Sequence, residues 1–175
     1  MLKSAILGFL LDRPLHGYEL RRHLAGLTGH VRPISDGTLY PAIKRLEADG
    51  LIVRRTEPGT AAAPRQTLHL TEAGRAEVLD WLRTPDPLDI SDENRWFTVL
   101  AFLRHLADPA AQAAVLRRRL AFLDEPASFF YEDGRPLRAE EVTDPFRGGI
   151  LRIARATTEA ELAWLRGAIG ELEAV

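Results

Sequence analysis

The chain has 175 residues, of which 46% are hydrophobic and 27% are charged, and it carries a formal net charge of −2. This composition is typical of a globular protein with a buried core, and it excludes a disordered chain. The absence of cysteine excludes disulfides, cysteine-ligated zinc and a thiolate nucleophile. The nearly neutral total charge does not exclude nucleic-acid binding, which needs cations on one face rather than a high total.

The sequence predicts neither a membrane span nor an export signal. Its longest apolar run, residues 5–11, is far shorter than the roughly 18 residues of a transmembrane helix. The N-terminus also lacks a basic region followed by a small-residue cleavage site. We therefore expect a cytoplasmic protein without a membrane partner.

Hydrophobic periodicity predicts three helices, a strand pair and a fourth helix in the first half of the chain. In chain order the helical stripes lie in residues 2–11, 20–27, 39–46 and 72–82, and the β-prone runs are 51–53 and 67–70. Gly50 is expected just beyond the end of the third helix, and Thr71 is expected to cap the fourth. Three helices followed by a β-hairpin is the order of a winged helix-turn-helix domain.

The second half of the chain is predicted to be helical apart from one irregular loop. Its last helix carries apolar residues at heptad spacing, broken by the polar Thr158. This leucine seam consists of Leu151, Leu162, Leu165, Ile169 and Leu172. Such a seam packs either against another helix of the same chain or against a second subunit, and its spacing leaves both partners open.

The third helix of the first half has a second face suited to DNA. Opposite its apolar stripe lie small residues, among them Gly37 and Ala48, which let the helix axis approach another surface closely. Hydroxyl and cationic side chains beside them suit phosphates and base edges. The candidate DNA-reading residues are Thr38, Tyr40, Lys44 and Arg45.

The predicted hairpin adds three candidate phosphate ligands. Arg54 and Arg55 precede its tip, Arg65 follows it, and residues 61–63 between them are alanines. Arginines around a slender hairpin can reach backbone phosphates or a minor groove. The alternative is a solvated strand edge whose charges protect against aggregation.

Several linked motifs in residues 1–83 resemble the PadR family of bacterial transcriptional regulators. In chain order they are His16-Gly17-Tyr18-Glu19-Leu20, Gly37-Thr38-Leu39-Tyr40-Pro41-Ala42-Ile43-Lys44-Arg45-Leu46-Glu47, Gly50-Leu51-Ile52, Pro64-Arg65 and Leu70-Thr71-Glu72-Ala73-Gly74. Residues 144–146 and 163–165 resemble the longer subgroup of the family more loosely. The sequence departs from the family at Leu68, where an aromatic residue is frequent, and at Pro126, which shortens the middle helix of the second domain.

The resemblance implies a homodimer that binds double-stranded operator DNA with an inverted repeat, usually as a repressor released by a small molecule. It implies an α+β fold, mainly α, with an N-terminal winged helix-turn-helix and a C-terminal helical dimerisation domain. The expected domains are residues 1–83 for DNA binding, 84–92 as a linker, and 93–175 for dimerisation and effector binding. The resemblance also implies that the leucine seam contacts the other subunit.

Aromatic residues of the second domain are candidate walls of an effector pocket. Aromatic cavities hold planar organic ligands, so a small aromatic or hydrophobic effector is expected. The candidates are Trp96, Phe129, Phe130 and Tyr131. For Trp96 the alternative is packing in the core. Three consecutive aromatic residues in a loop, by contrast, are expected to pack over another surface.

The residues offer little support for an enzyme. His16, Glu19 and His23 fall roughly on one helical face, but capping and packing explain them better than a metal. The sequence contains no Gly-x-Ser-x-Gly motif and no phosphate-binding glycine loop. We therefore expect a regulator without enzymatic activity or cofactor. The alternative is a winged-helix module that binds a protein partner and not DNA.

Overall fold

The computed structural model describes residues 1–28, 34–57, 65–125, 131, 132 and 134–174, and the fold is mainly helical. The chain divides into two compact units, Met1–Ala107 and Asp108–Val175. The elements of the first unit are α1 (Leu2–Asp12), β1 (Leu15–His16), α2 (Gly17–Thr28), α3 (Asp36–Ala48), β2 (Ile52–Glu57), β3 (Arg65–Leu70), α4 (Glu72–Arg83), α5 (Pro87–Ser91) and α6 (Glu93–Phe102), followed by a 3-10 turn at Leu103–His105.

The order of the first four helices and the β2–β3 hairpin confirms the predicted winged helix-turn-helix. The sheet has one additional strand, β1, and its order is β1-β3-β2 with antiparallel pairing. Leu15 pairs with Leu68, so β3 is the central strand. Two residues are too short to give a periodic signal, which is why the sequence did not predict β1.

Helices α1, α2 and α3 pack on the sheet around one hydrophobic core. Ile6, Leu20 and Leu39 contribute one fully buried side chain from each helix, and Leu68 contributes one from β3. Burial of a leucine or isoleucine side chain contributes about 1.5–3 kcal/mol. These contacts fix the position of α3 relative to the hairpin.

Both predicted helix boundaries in this unit are confirmed. Gly50 follows α3 with a φ of 71°, a left-handed conformation that glycine adopts without steric cost. Thr71 caps α4, and its hydroxyl oxygen accepts a hydrogen bond from the backbone N–H of Gly74 at 3.0 Å. The hairpin is therefore bounded by defined turns at both ends.

The first compact unit extends beyond the boundary predicted at residue 83. The predicted linker, residues 84–92, contains α5, where Asp89 is buried and accepts a hydrogen bond from Trp81 Nε1 at 2.7 Å. Further along, the ring of Phe102 fills the space above Gly8, where an added Cβ would lie 2.5 Å from it. Helices α5 and α6 therefore belong to the first unit because they complete its packing.

The second unit is built around two helices. Its elements are α7 (Pro109–Asp124), the β4 (Tyr131–Glu132) and β5 (Arg135–Pro136) strand pair, a 3-10 turn at Ala139–Glu141, and α8 (Pro145–Glu173). Arg119 on α7 is buried and binds both carboxylate oxygens of Glu161 on α8, at 2.8 and 2.9 Å. The two helices pack against each other along this side of α8.

Much of the leucine seam is already buried within a single chain, so it has a packing partner in its own unit. Leu151, Leu165 and Ile169 are only 2%, 0% and 8% exposed in a single chain, and Leu162 and Leu172 are half-buried. They fall on the side of α8 that carries Glu161 and faces α7. The seam is therefore part of the core of the unit.

Candidate nucleic-acid interface

Helix α3 presents one apolar face to the core and one polar face to the outside. Leu39, Ile43 and Leu46 are at most 3% exposed and hold the helix on the sheet. Three-residue and four-residue spacings place these side chains on one side of the helix. The residues on the other side do not contribute to this buried face.

All four predicted DNA-reading residues lie on that exposed side. Thr38, Lys44 and Arg45 are exposed, and Tyr40 is 42% exposed. Within the described residues, neither Lys44 nor Arg45 forms an ion pair, and the Arg45 guanidinium makes only a 3.4 Å contact with the Pro41 carbonyl oxygen. Two uncompensated cations on a helix face can bind phosphates or guanine edges.

Tyr40 also packs on the start of α2. A Cβ added to Gly17 would lie in ordinary van der Waals contact with the Tyr40 ring, at 3.4 Å, so the ring lies beside the first residue of α2. The adjacent Tyr18 is 65% exposed. Sequence reasoning did not assign Tyr18 to the interface, although it lies in the first of the motifs quoted above.

The acidic residue at the start of α3 is neutralised by α2. Asp36 accepts a hydrogen bond from Arg21 at 2.8 Å, and the carboxylate raises the pKa of that guanidinium. The Asp36 charge also lies at the positive end of the helix dipole. It therefore offers little repulsion to a polyanion bound along α3.

The three hairpin arginines do not share one surface. Because consecutive side chains of a strand alternate between faces, Arg54 and Arg55 lie on opposite faces of β2. Arg55 is exposed and forms no ion pair with any described residue. Arg54 instead binds both carboxylate oxygens of Glu47 on α3, at 2.9 Å each. Arg55 remains a candidate phosphate ligand, whereas Arg54 is already neutralised.

The tip of the hairpin falls outside the described residues. This holds for Ala61, Ala62 and Ala63, which were expected at the wing tip. Arg65 begins β3 and its backbone pairs with Glu57, but its side chain is beyond the described part of the chain.

The contacts of His16 confirm the expected capping. Its backbone N–H donates to the Glu19 carboxylate at 2.9 Å, and this hydrogen bond lowers the pKa of Glu19. Its Nδ1 lies 3.0 Å from the Gln66 carbonyl oxygen on β3. His23 packs elsewhere, with its ring centroid 5.3 Å from that of Phe9. His16 and Glu19 thus fix the start of α2 on the sheet.

A cavity of about 670 Å³ lies in the second unit. Phe122 and Tyr131 line it together with Pro136, and Arg138 and Arg155 contribute positive charge beside the acidic Glu159. Of the two predicted effector residues that the structure describes, Trp96 and Tyr131, only Tyr131 lines this cavity. Trp96 is fully buried in the first unit, which agrees with core packing. Phe129 and Phe130 lie outside the described residues.

Among the described residues, no helix is long and apolar enough to cross a membrane.

Comparison with known proteins gives a consistent result for the first half of the chain. A family model described as the transcriptional regulator PadR-like family matches residues 6–80. The chain is similar to the transcriptional regulator Rv3488 of Mycobacterium tuberculosis, with 39% identity over 85 residues covering 47% of this chain and 74% of that protein. It is also similar to the negative transcriptional regulator PadR of Bacillus subtilis, with 32% identity over 95 residues.

The Bacillus subtilis match covers 53% of this chain and 52% of the relative, so it spans about half the length of that regulator. Among solved structures, the chain is similar to Bacillus subtilis PadR in complex with operator DNA, with 22% identity, a TM-score of 0.46 and coverage of 97% of both chains.

Proposed function

The chain belongs to the PadR-like family of transcriptional regulators, and we propose that it represses transcription as a homodimer that binds operator DNA and is released by a small effector. The name of the Bacillus subtilis relative supports repression rather than activation. Transcriptional regulation is the family's activity, and no chemical step is part of the proposal.

The observation that carries the proposal is the exposed face of α3. Lys44 and Arg45 lie one residue apart on that face, without ion pairs among the described residues, while Thr38 and Tyr40 flank them. An α-helix fits the major groove, where arginine and lysine read guanine and hydroxyls contact either base or phosphate. A helix face that is only solvated would usually carry more glutamates and fewer small residues beside its cations.

The wing supports α3 from the side. Arg55 and Arg65 are proposed as phosphate ligands, which would fix the register of the domain on the duplex without reading sequence. Arg54 is not included, because its guanidinium is bound to Glu47.

A second copy of the chain is proposed to pack on a different side of α8 from the leucine seam. Phe146, Ile150, Ile153 and Trp164 are 82%, 51%, 68% and 50% exposed, and their spacings of 4, 3 and 11 residues place them along one side of the helix. An exposed apolar stripe of this length marks an interaction surface. A symmetric dimer would then meet an inverted repeat with half-sites about 34 Å apart.

The second-unit cavity is the proposed effector site. Its aromatic walls Phe122 and Tyr131 suit a planar ring, and Arg138 and Arg155 provide charge to orient a polar substituent. Thermal unfolding in the presence of a panel of small aromatic acids and amines tests this, with Tyr131→Ala as the variant. A compound that stabilises both forms of the protein equally does not bind at this cavity.

The function itself is tested by recovering DNA that the protein binds from its own genome and sequencing it. The proposal predicts enrichment of an inverted repeat, bound on the order of 10³-fold or more tightly than random duplex at the same salt concentration. The absence of enrichment, together with no salt-dependent binding to random duplex, would contradict it. That result would favour the alternative, a winged helix that binds a protein partner.

A further inference from the structure

Arg54 joins α3 to both long strands of the wing, β2 and β3. From β2, its Nε and Nη2 donate to the two carboxylate oxygens of Glu47 in the last turns of α3, both at 2.9 Å. Its Nη1 donates to Gln66 Oε1 on β3 at 3.0 Å. Each of the three guanidinium nitrogens therefore has a partner outside β2: two of them bind Glu47 on α3, and the third binds Gln66 on β3.

We propose that Arg54 is a positioning residue that sets the angle between α3 and the wing and does not itself bind phosphate. The inference rests on the DNA-binding function proposed above. Arg54 would then influence operator specificity without touching DNA. The reason is that α3 and the wing contact the duplex together only if their relative orientation fits it.

The location of Arg54 on the sheet supports this role. It pairs across the hairpin with Leu68, which is buried, and opposite residues of antiparallel strands point to the same face. Arg54 and Gln66 therefore extend the core-facing side of the hairpin, and this side faces α3. Arg55 lies on the other side.

The contacts continue from Gln66 to the rest of the domain. The Gln66 carbonyl oxygen lies 3.0 Å from His16 Nδ1 on β1, and the His16 N–H donates to Glu19 at the start of α2. A continuous set of polar contacts consequently links the end of α3 with both wing strands, β1 and α2. If Arg54 moved toward DNA, its hydrogen bonds to Glu47 and Gln66 would break, and α3 would lose its polar link to the wing strands.

The charges argue against a phosphate role as well. The guanidinium lowers the pKa of Glu47, and the carboxylate raises the pKa of Arg54, so both groups are ionised and the pair is neutral near pH 7. The side chains are 34% and 26% exposed, and a bidentate arginine–carboxylate pair of this geometry is among the stronger ones. If Arg54 moved to a phosphate, the bare Glu47 carboxylate would remain beside the DNA-binding face.

The substitution Glu47→Gln distinguishes the two roles by the sign of its effect. A positioning role predicts that Glu47→Gln lowers the ratio of operator to random-duplex affinity by roughly three- to tenfold, although it removes a negative charge beside the DNA. Arg54→Lys should lower the ratio similarly, because lysine keeps the charge but lacks the planar fork. The double variant should be no worse than the poorer single one. Glu77→Gln is the control, since it removes one carboxylate from an exposed pair with Lys3 in the same unit.

Tighter binding of Glu47→Gln to both DNAs, with Arg54→Lys unchanged, would overturn the proposal and make Arg54 a phosphate ligand. A DNA-free measurement separates this failure from failure of the proposed function. Hydrogen exchange at the β2 and β3 amides should accelerate in Glu47→Gln and Arg54→Lys but not in Glu77→Gln. If the wild type shows no DNA binding, the function fails, and unchanged exchange in both variants would overturn the positioning role on its own.

Discussion

Gly74, near the start of α4, lies directly against the backbone carbonyl of Leu51, which follows α3. A Cβ at position 74 would lie 2.0 Å from the Leu51 oxygen. The same carbonyl oxygen accepts hydrogen bonds from the Thr71 hydroxyl and the Thr71 N–H. This close approach holds the base of the wing to the helix that follows it.

Replacing Gly74 with alanine should therefore destabilise the protein by about 3 kcal/mol, because a backbone atom cannot move aside as a flexible side chain can. Gly26→Ala in α2 is the matched control: nothing lies within 4 Å of its added Cβ, and alanine in a helix is about 0.5–1 kcal/mol more favourable than glycine. Urea unfolding of both variants measures the difference. Equal stability of the two would show that the contact is not close in solution.

The exposed stripe of α8 gives a prediction about assembly. Ile150→Glu combined with Ile153→Glu should convert the proposed dimer to a folded monomer, because two carboxylates would be placed in an apolar interface. Ala163→Glu, on another exposed side of α8, should leave the dimer intact. Sedimentation at micromolar concentration, with circular dichroism as a check of folding, measures the outcome.

A substitution in the leucine seam should behave differently. Leu165→Asp should unfold the second unit rather than separate two folded subunits, because Leu165 is fully buried within one chain. A folded monomeric Leu165→Asp variant would show instead that the seam faces another subunit.

The buried pair between α7 and α8 gives a stability prediction. Glu161→Ala should cost about 3–5 kcal/mol, because it removes the carboxylate that neutralises the buried Arg119 guanidinium. Glu173→Ala, which removes the partner of the exposed Arg117, should cost about 1 kcal/mol or less. Chemical denaturation of both variants compares them, and equal costs would contradict burial of the Arg119 pair.

The pKa of Glu47 gives a prediction about pH. Because Arg54 holds that pKa below the ordinary value of 4.5, the pair stabilises the folded state fully above pH 4.5 and is lost as the pH falls through the lowered pKa. Near pH 7 the pair's full contribution is present, so stability should not change with pH through the titration of Glu47, whereas Arg54→Gln should return the pKa of Glu47 toward 4.5. Carboxyl NMR titration of both proteins measures this, and an unchanged pKa would show that the two groups are not paired in solution.

The sequence predicted the winged-helix elements well because their signals are local. Periodic leucines, a left-handed glycine after α3 and a threonine cap before α4 each act within a few residues. The partners of individual side chains could not be predicted in the same way, because they depend on contacts between distant parts of the chain. The leucine seam has the same heptad spacing whether it packs on α7 or on another chain, so the burial of Leu165 within one chain could not be predicted from that spacing. Likewise, Arg54 and Arg55 are adjacent arginines that the sequence cannot tell apart, but Glu47 forms an ion pair with Arg54 and not with Arg55.

The central claim is that the exposed face of α3 binds DNA, and the salt dependence of operator affinity in Lys44→Ala and Arg45→Ala tests it most directly. Both side chains lie off the buried stripe, so the fold should be unchanged. Loss of a guanine contact should cost about 1–3 kcal/mol at particular base positions, and loss of a phosphate contact should flatten the slope of log affinity against log salt by about 0.9. Lys3→Ala, which removes a cation that is paired with Glu77 between α1 and α4, should change neither quantity. If both α3 variants bind operator with the affinity and salt slope of the wild type, α3 does not contact DNA.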